Sequence, residues 1–329
     1  MTATTTLRRT NRAPKSAVVV NPAKIQDVAA LRATVDGALS RAGWPAPQWF
    51  ETTPDDPGRG QARAAIESGA EVVFVCGGDG TVMSAVSALA GTDASLAILP
   101  AGTGNLLAAN LGLSTDLAAG LEVAVEGGLR RLDVGVVDGQ HFAVMAGMGF
   151  DAHMLDATSE RAKARIGWPA YVIGGARHLL DRPMRVTVRI DGGASMRRAA
   201  RTVLIANVGR LQGGVRLLLN AAPDDGVLDI AILTPRTLRN WLSLAWAVLR
   251  RKERVPSMEV FRGAKVEVIS DRPQPRQLDG DPIEADRQLL AEIRPDALWL
   301  CVPQPADDPD LAIDADAAAH RGSRLVDRD

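Results

Sequence analysis

Two glycine-rich turns contain the residue types best suited to chemistry in this 329-residue chain. The first, Gly77-Gly78-Asp79-Gly80-Thr81, follows a nearly continuous apolar run at residues 71–76 and precedes a segment with helical spacing. Glycine lets the backbone turn tightly and approach a ligand, and the first amides of a helix attract phosphate. Thr81 adds a hydroxyl, and Asp79 adds a carboxylate that can hold a metal or orient an acceptor. Because neither Gly-Lys-Thr nor Gly-Lys-Ser follows, the turn is not a Walker motif.

The second turn, Pro100-Ala101-Gly102-Thr103-Gly104-Asn105, follows another apolar run at residues 95–99. Either turn alone also fits a tight connection between a strand and a helix. Two such turns after neighbouring parallel strands would lie at the same sheet edge, where open α/β sheets bind their ligands. The pair therefore favours a ligand that carries phosphate.

Two aspartate–glycine segments occur later in the chain, at Asp224-Asp225-Gly226 and at Asp279-Gly280-Asp281. Asp-Gly is a common turn dipeptide, so spacing alone predicts a solvated turn for the first and a hairpin turn for the second.

Strands and helices alternate in residues 16–135, which predicts an α/β domain with a parallel sheet and helices on both faces. The predicted strands are residues 16–20, 47–52, 71–76 and 95–99, and the predicted helices are residues 25–40, 60–67, 82–89 and 116–125.

After about residue 136 the pattern becomes short runs bounded by Gly, Pro and Asp, some with an alternation of period 2. This pattern predicts an antiparallel β domain, a β-sandwich. The predicted strands are residues 186–190, 202–206, 215–219, 227–233 and 265–269, and two helices are predicted near residues 158–180 and 237–252.

These patterns predict the domain organisation. We expect a disordered basic tail at 1–14, a nucleotide-binding α/β domain at 15–135, a β-rich domain at 136–296, a strand returning to the first domain at 297–303, and a disordered acidic tail at 304–329.

Composition excludes several classes of protein. Hydrophobic residues make up 46% of the chain and charged residues 23%, as in a soluble globular protein. No apolar stretch reaches the roughly 18 residues of a membrane span. The two cysteines, Cys76 and Cys301, are too few for a disulfide scaffold and too far apart for a metal cluster, so we expect reduced thiols in a cytoplasmic protein. The four histidines show no metal-ligand spacing.

Taken in order along the chain, the motifs resemble the bacterial lipid kinases, whose catalytic domain is shared by diacylglycerol, sphingosine and ceramide kinases. The resemblance covers about residues 17–303. Gly-Gly-Asp-Gly-Thr alone also occurs in NAD kinases, so the ordered set carries the specificity. Its members are Asn21-Pro22, residues 77–81, 100–105 and 146–152, Gly213-Gly214, and residues 222–229 and 279–281.

The resemblance implies a role for each matching residue. The implied ATP site, in the cleft between the domains, consists of Asn21, Thr53 (or its neighbour Thr52), Gly77, Gly78, Asp79, Gly80, Thr81, Val82, Met83, Gly102, Thr103 and Asn105. The implied metal site, expected to hold Mg²⁺ and to support the second domain, consists of Asp225 with the carbonyls of Ala222 and Val227. Asp279 matches the general base for the lipid hydroxyl, and Asp281, which stands where the family usually has Glu, is the second residue that the resemblance implies to be catalytic.

Three positions depart from the family pattern near the implied nucleotide. Lys24 lies among Ala23-Lys24-Ile25, where the family often has small residues and Gly, and a lysine there can reach a phosphate. Met83-Ser84 replaces an Asn-Glu pair, and Leu106-Leu107 replaces Asp-Phe. The last two changes remove polar groups but leave the phosphate-binding glycines.

The resemblance implies an enzyme that transfers the γ-phosphoryl group of ATP to a lipid hydroxyl, with diacylglycerol as the default acceptor and phosphatidic acid as the product. One alternative is an NAD kinase. Another is a non-catalytic relative that binds lipid or nucleotide, which Ser84, Leu106 and Leu107 keep open.

The formal net charge of −1 hides an uneven distribution. Residues 16–135 hold 7 bases and 13 acids, whereas residues 136–303 hold 24 bases and 19 acids. The basic second domain contains an apolar segment with two tryptophans, residues 241–249, that runs into Arg250-Arg251-Lys252. This combination suits a bilayer interface, although a core helix with a solvated basic end is the alternative.

We therefore expect a cytoplasmic protein associated peripherally with the inner face of the membrane, where its lipid substrate lies. Nucleic acid is not expected as a partner, because the bases are not interleaved with aromatic residues and no recognised module is visible. A homodimer is left open.

Overall fold

The computed structural model describes residues 12–100, 105–113, 116–149, 182–209, 216–250, 252 and 254–303. The described chain divides into two units. The first contains the residues up to Val134, Pro223–Asp225 and the residues from Pro295 onward. The second contains Gly135–Ala222 and Gly226–Arg294. Residues 1–11 of the tail predicted at 1–14, the tail predicted at 304–329 and the helix predicted near 158–180 lie outside the described residues.

The described residues form the following elements. The helices are α1 Val28–Arg41, α2 Arg59–Glu67, α3 Asp79–Leu89, α4 Leu106–Asn110, α5 Leu117–Glu126 and α6 Leu238–Leu249. The strands are β1 Ser16–Val20, β2 Gln48–Glu51, β3 Val72–Gly77, β4 Ser95–Pro100, β5 Gly128–Val137, β6 Gln140–Phe142, β7 Met145–Gly149, β8 Met184–Ile190, β9 Met196–Ala200, β10 Thr202–Ala206, β11 Leu228–Leu233, β12 Met258–Gly263, β13 Lys265–Leu278 and β14 Asp281–Val302.

The first unit is built on a parallel sheet. Its strands lie in the order β2-β1-β3-β4, and the end of β14 pairs with β4 in the same direction, placing Trp299 beside Ser95. Both β1 and β3 are buried along their whole length, as strands covered on both faces are. Phe74, Leu39 and Leu99 belong to the core that the helices close over this sheet.

The second unit is an antiparallel β structure. The strands β12, β11, β10, β7 and β13 pair in that order, and β13 also pairs with β8 and with the first part of β14. Alternate residues of β8 point inward, which explains the period of 2 in its sequence. The predicted fold class, an α/β domain followed by an antiparallel β-sandwich, is confirmed.

Several element boundaries differ from the predicted ones. Helix α1 begins at Val28, not at residue 25, because the side chain of Asp27 accepts a hydrogen bond from the Ala30 amide and caps the helix. Helix α3 begins three residues earlier than predicted, inside the glycine-rich turn.

The strand predicted at residues 215–219 is wrong for the described part of that range. The amides of Leu217 and Leu218 both donate to the carbonyl of Gly209, at 3.0 and 3.3 Å, but neither residue belongs to a strand. The two side chains are buried, so their apolar character reflects burial without a strand.

Among the described residues, no helix is long and apolar enough to cross a membrane.

Candidate functional sites

The glycine-rich turn at residues 77–81 places an open helix end at the edge of the parallel sheet. Strand β3 ends at Gly77, and the first intrahelical bond of α3 runs from the Val82 amide to the Gly78 carbonyl, at 3.1 Å. The three amides before Val82 therefore belong to the first turn of the helix, which lacks intrahelical acceptors. The N-cap residue, Gly78, has no side chain to cap them. A Cβ atom added at Gly78 or Gly80 would meet no atom of the described residues within 4 Å, so these residues leave room for a phosphate group at this end.

The threonine of the turn is buried and held from two sides. Thr81 is 3% exposed, and its Oγ1 accepts a hydrogen bond from Nδ2 of Asn21 at 3.2 Å. A Cβ atom at Gly77 would lie 2.7 Å from the Cβ atom of Thr81, closer than side chains approach one another. Asn21 and Gly77 thus position the turn. Asn21 is itself fixed by a hydrogen bond that its backbone amide donates to the Cys76 carbonyl, at 2.9 Å.

Asp79 connects the two glycine-rich turns. Its Oδ1 accepts a hydrogen bond from the Leu106 amide at 2.7 Å, where α4 begins. Asn105 caps α4 by accepting from the Ala108 amide at 2.9 Å. Gly102 and Thr103, predicted in the ATP site, lie outside the described residues. The contact shows that the two turns adjoin, as their placement after neighbouring strands predicts.

The remaining residues of the predicted nucleotide site lie at different depths. Val82 is buried in the core, and its amide is used within α3, whereas Met83 is half-buried. Thr53 is exposed, and its hydroxyl accepts a hydrogen bond from the Asp56 amide at 3.1 Å. Lys24 is exposed. Their contacts with a nucleotide stay predictions.

The leucines that replace polar residues of the family pattern have a structural explanation. Leu106 is 8% exposed and Leu107 is 2% exposed, so both side chains contribute to the core. Ser84, on α3, is half-buried.

Sequence reasoning missed the loop that packs against the glycine-rich turn. Asp56 accepts hydrogen bonds from the amides of Gly58 and Gly60, at 3.0 to 3.2 Å, and so orders the start of α2. Gly58 has φ +141°, and a Cβ atom there would lie 3.4 Å from the methyl group and the carbonyl oxygen of Thr81. The signal in the sequence was the Pro57-Gly58 dipeptide, which marks a turn.

In the second unit, Asp279 lies at the tip of the hairpin formed by β13 and β14. Leu278 pairs with Asp281, so Asp279 and Gly280 form a two-residue loop with φ values of 50° and 96°. Positive φ at both positions is typical of a type I′ turn. The predicted hairpin turn is therefore confirmed.

The carboxylate of Asp279 points inward and accepts three backbone hydrogen bonds. Oδ1 accepts from the amides of Val144 and Met145, at 2.8 and 2.7 Å, and Oδ2 accepts from the Ala143 amide at 2.8 Å. Burial raises the pKa of Asp279 to about 6, against the opposing effect of the three amides, and the charge of nearby Asp281 raises it further. The carboxylate is thus mostly ionised at neutral pH. Its Oδ2 accepts only one of the three amide hydrogen bonds and can therefore accept a proton as well.

Asn207, which sequence reasoning also missed, holds the segment that faces Asp279. Its Nδ2 donates to the Ala143 carbonyl at 3.0 Å, and its amide donates to the Val144 carbonyl at 2.8 Å. These bonds orient the amides of the segment toward the carboxylate. The only signal in the sequence was a polar residue directly after a buried strand.

The two aspartates of the segment with the predicted metal ligands differ in burial. Asp224 forms a buried ion pair with Arg130, and the Pro223 carbonyl accepts from the Asp133 amide at 2.7 Å. Asp225 is exposed. Within the described part of the chain, no three or more His, Cys, Asp or Glu residues are grouped to hold a metal.

A cation bound by this segment would therefore depend on the Asp225 carboxylate, on backbone carbonyls such as those of Ala222 and Val227, and on water. Oxygen donors of these kinds suit Mg²⁺. The magnesium site stays a prediction.

Comparisons with known proteins identify the family. Residues 15–137 match the model of the diacylglycerol kinase catalytic domain, and residues 144–302 match the YegS C-terminal NAD kinase beta sandwich-like domain. A Pseudomonas fluorescens protein named "Probable lipid kinase YegS-like" is 31% identical over 283 residues, which cover 83% of this chain and 91% of that protein. The chain belongs to the YegS-like lipid kinase family. The predicted enzyme class, an ATP-dependent kinase, is confirmed with it.

Two further matches concern the sequence and the fold separately. A Mycobacterium tuberculosis protein named diacylglycerol kinase is 31% identical over 216 residues, which cover 62% of this chain and 64% of that protein. The crystal structure of a diacylglycerol kinase from Bacillus anthracis superposes with a TM-score of 0.68 at 19% identity, covering 90% of this chain and 99% of that one. That likeness shows the fold.

The NAD kinase alternative receives less support. An NAD kinase from Archaeoglobus fulgidus, solved with ATP, matches with a TM-score of 0.51 at 13% identity, covering 88% of this chain and 94% of that one. At this level of sequence identity, the similarity shows only that the two proteins share a fold.

Proposed function

We propose that this YegS-like protein transfers the γ-phosphoryl group of ATP to the free hydroxyl of diacylglycerol and so forms phosphatidic acid. The observation that carries the proposal is the open first turn of α3, with room at Gly78 and Gly80 and a framework fixed by Asn21, Thr81 and Asp79. A helix end of this kind suits the phosphates of a nucleotide.

The second support for the proposal is Asp279. In the reaction the oxygen of the lipid hydroxyl forms a bond to the γ-phosphorus, and the bond from that phosphorus to the bridging oxygen of ADP breaks. The hydroxyl proton goes to Asp279, whose carboxylate is buried and ionised above about pH 6. The first-turn amides of α3 offset the negative charge of the phosphates.

A magnesium ion, when bound, would neutralise part of the charge on the ATP phosphates. Within the proposal, Asp225 supports a separate cation with backbone carbonyls and water, as the resemblance implies. Asp225 is exposed to solvent, and the side chain of Asp224 is largely buried in its ion pair with Arg130.

The proposal is tested by a transfer screen with radiolabelled ATP and magnesium. The acceptors are diacylglycerol, a sphingoid base and ceramide in mixed micelles, together with NAD in solution. We expect label in phosphatidic acid. Label in NAD alone, or in a sphingoid base or ceramide in place of diacylglycerol, would overturn the choice of acceptor.

The screen needs a control for contaminating kinases from the expression host. Asp279→Asn, purified in the same way, should lose the label in the lipid fraction. If the wild-type and Asp279→Asn preparations label the lipid equally, the activity comes from a contaminating kinase or does not require Asp279.

A further inference from the structure

Helix α6 exposes a contiguous apolar stripe to solvent. The stripe consists of Leu238, Leu242, Trp246 and Leu249, which are 55%, 64%, 56% and 66% exposed. At 100° per residue, these four side chains lie within about 80° of one another on the helix surface. Single exposed leucines are common on proteins, but four large apolar side chains along one helix face are not.

The stripe is not required to hold the helix in place. On the opposite face, the side chains of Leu244, Ala247 and Val248 are buried. At the beginning of the helix, Thr237 and Asn240 form a capping box, which satisfies the first amides. The helix is therefore anchored by one face and capped at its start, and the apolar stripe on its other side has no role in this packing.

The surroundings of the stripe are positively charged. Residues 234–252 contain five Lys or Arg residues and no Asp or Glu. Arg239 and Arg250 are exposed and border the stripe, and the guanidinium group of Arg250 lies 4.4 Å from the centre of the Trp246 ring. No ion pair between described residues uses either arginine, so the charge near the stripe is not neutralised by the part of the molecule that the structure shows.

We propose that this face of α6, the apolar stripe with its bordering arginines, docks on the surface of an anionic phospholipid bilayer. Leucine and tryptophan side chains would enter the boundary between headgroups and acyl chains, while the arginines contact lipid phosphates. The 12-residue helix is too short to span a bilayer, so it would lie in the interface plane. The inference goes beyond the proposed function, because it holds whichever lipid hydroxyl is phosphorylated.

Charge decides between a bilayer and a second copy of the chain as the occupant. Two copies joined through this face would bring the same arginines together, and like charges repel. An anionic surface instead attracts them, and each basic residue close to such a surface strengthens binding about fivefold.

The test is sedimentation of the full-length protein with vesicles of phosphatidylglycerol and phosphatidylcholine that contain no diacylglycerol. We expect wild-type binding that weakens as salt rises and that is much lower on pure phosphatidylcholine. The double variant Leu242→Gln/Trp246→Gln should lose at least tenfold in affinity. Arg239→Gln/Arg250→Gln should lose affinity for the anionic vesicles only.

The matched control is Val260→Gln/Ile269→Gln. These two residues are 46% and 43% exposed and lie on strands of the same unit, so this variant should bind as wild type does. Phosphotransfer to a short-chain acceptor in solution should be unchanged in all the variants. This readout separates a failure of docking from a failure of the proposed function.

The proposal is wrong if the α6 variant and the strand variant bind vesicles equally. It is also wrong if wild-type protein binds neutral and anionic vesicles alike at every salt concentration. A third contrary result is a wild-type dimer that Leu242→Gln/Trp246→Gln converts to a monomer without weakening vesicle binding, since this would show that a second copy covers the face.

Discussion

The same dipeptide, Asp-Gly, occurs in both units and is used in different ways. Asp79-Gly80 lies in the first turn of a helix, where Asp79 is half-buried and its carboxylate accepts a bond from the Leu106 amide. Asp279-Gly280 forms a hairpin tip, where the Asp279 carboxylate is buried and accepts three amide bonds. We infer that the first unit offers amides to phosphate, whereas the second holds a carboxylate for a proton.

The difference shows that the environment of an aspartate decides its chemistry. Burial destabilises a charged carboxylate, and hydrogen bonds from amides stabilise it. At Asp279 the effect of burial is the larger, so its pKa rises to about 6, into the range useful for a general base near neutral pH.

The largest effect is expected when Asp279 can no longer accept a proton. Asp279→Asn should lower kcat by about 10²- to 10⁴-fold, the usual contribution of general base catalysis. Asparagine keeps one carbonyl acceptor for the facing amides, whereas alanine would leave three buried amides without acceptors and would destabilise the fold. The measurement is phosphate transfer to diacylglycerol alongside urea unfolding.

Asp286→Asn is the control for this substitution, because Asp286 is an exposed carboxylate farther along β14. It should leave kcat unchanged. If the activity lost in Asp279→Asn merely equals the fraction of unfolded protein, Asp279 is a structural residue.

A smaller and more selective effect is expected at the glycines of the first unit. Gly77→Ala should lower the free energy of unfolding by about 1–3 kcal/mol, because its new methyl group would crowd the Cβ atom of Thr81. Gly80→Ala places the methyl group in open space and should not destabilise the protein. Instead it should raise the KM for ATP, since the proposal places phosphate there.

Urea unfolding and ATP kinetics on both glycine variants check this pair. An unchanged KM for ATP in Gly80→Ala would show that the phosphate does not bind at the open end of α3.

Two substitutions of Asp79 distinguish whether its carboxylate positions the second turn or contacts the ligand directly. Asp79→Ala should reduce stability by about 1–3 kcal/mol and raise the KM for ATP, because the Leu106 amide loses its acceptor. Asp79→Asn keeps an acceptor and should be nearer to wild type in both measurements. A stable but inactive Asp79→Asn would instead show that the negative charge itself acts on the nucleotide or its metal.

The smallest effect is expected at Asp281, the second residue predicted as catalytic. Its charge contributes to the raised pKa of Asp279, so Asp281→Asn should lower that pKa by less than about one unit. Activity at acidic pH should then rise relative to the activity at neutral pH. A shift of the pH profile toward alkaline pH would contradict this assignment.

Much of the fold could be predicted from the sequence because burial imposes simple patterns. Strands β1 and β3 are continuous apolar runs, and β8 alternates, so their types and approximate positions followed from hydrophobicity alone. Caps were harder to place. The cap formed by the Asp27 side chain makes α1 begin later than predicted. The apolar pattern that predicted a strand at residues 215–219 reflects the burial of Leu217 and Leu218 instead.

The candidate sites were predictable in part. The Gly-rich turn and the hairpin at Asp279 carry local signals, but the burial of Asp279 depends on a segment more than a hundred residues away in the chain. The contacts made by Asn207 were equally hidden, since nothing in its immediate sequence specifies its partners. Asp56 differs, because its partners Gly58 and Gly60 are local and the Pro57-Gly58 dipeptide marks the turn.

The most direct test of the account is the pH dependence of kcat/KM for phosphate transfer to diacylglycerol. Because the folded-state pKa of Asp279 is raised to about 6, the ionised base is depleted below that pH. We expect kcat/KM in the wild-type protein to fall about tenfold per pH unit below about pH 6 and to level off above it. In Asp279→Asn this acidic limb should be absent. The same limb in both proteins would contradict the assignment of Asp279 as the general base.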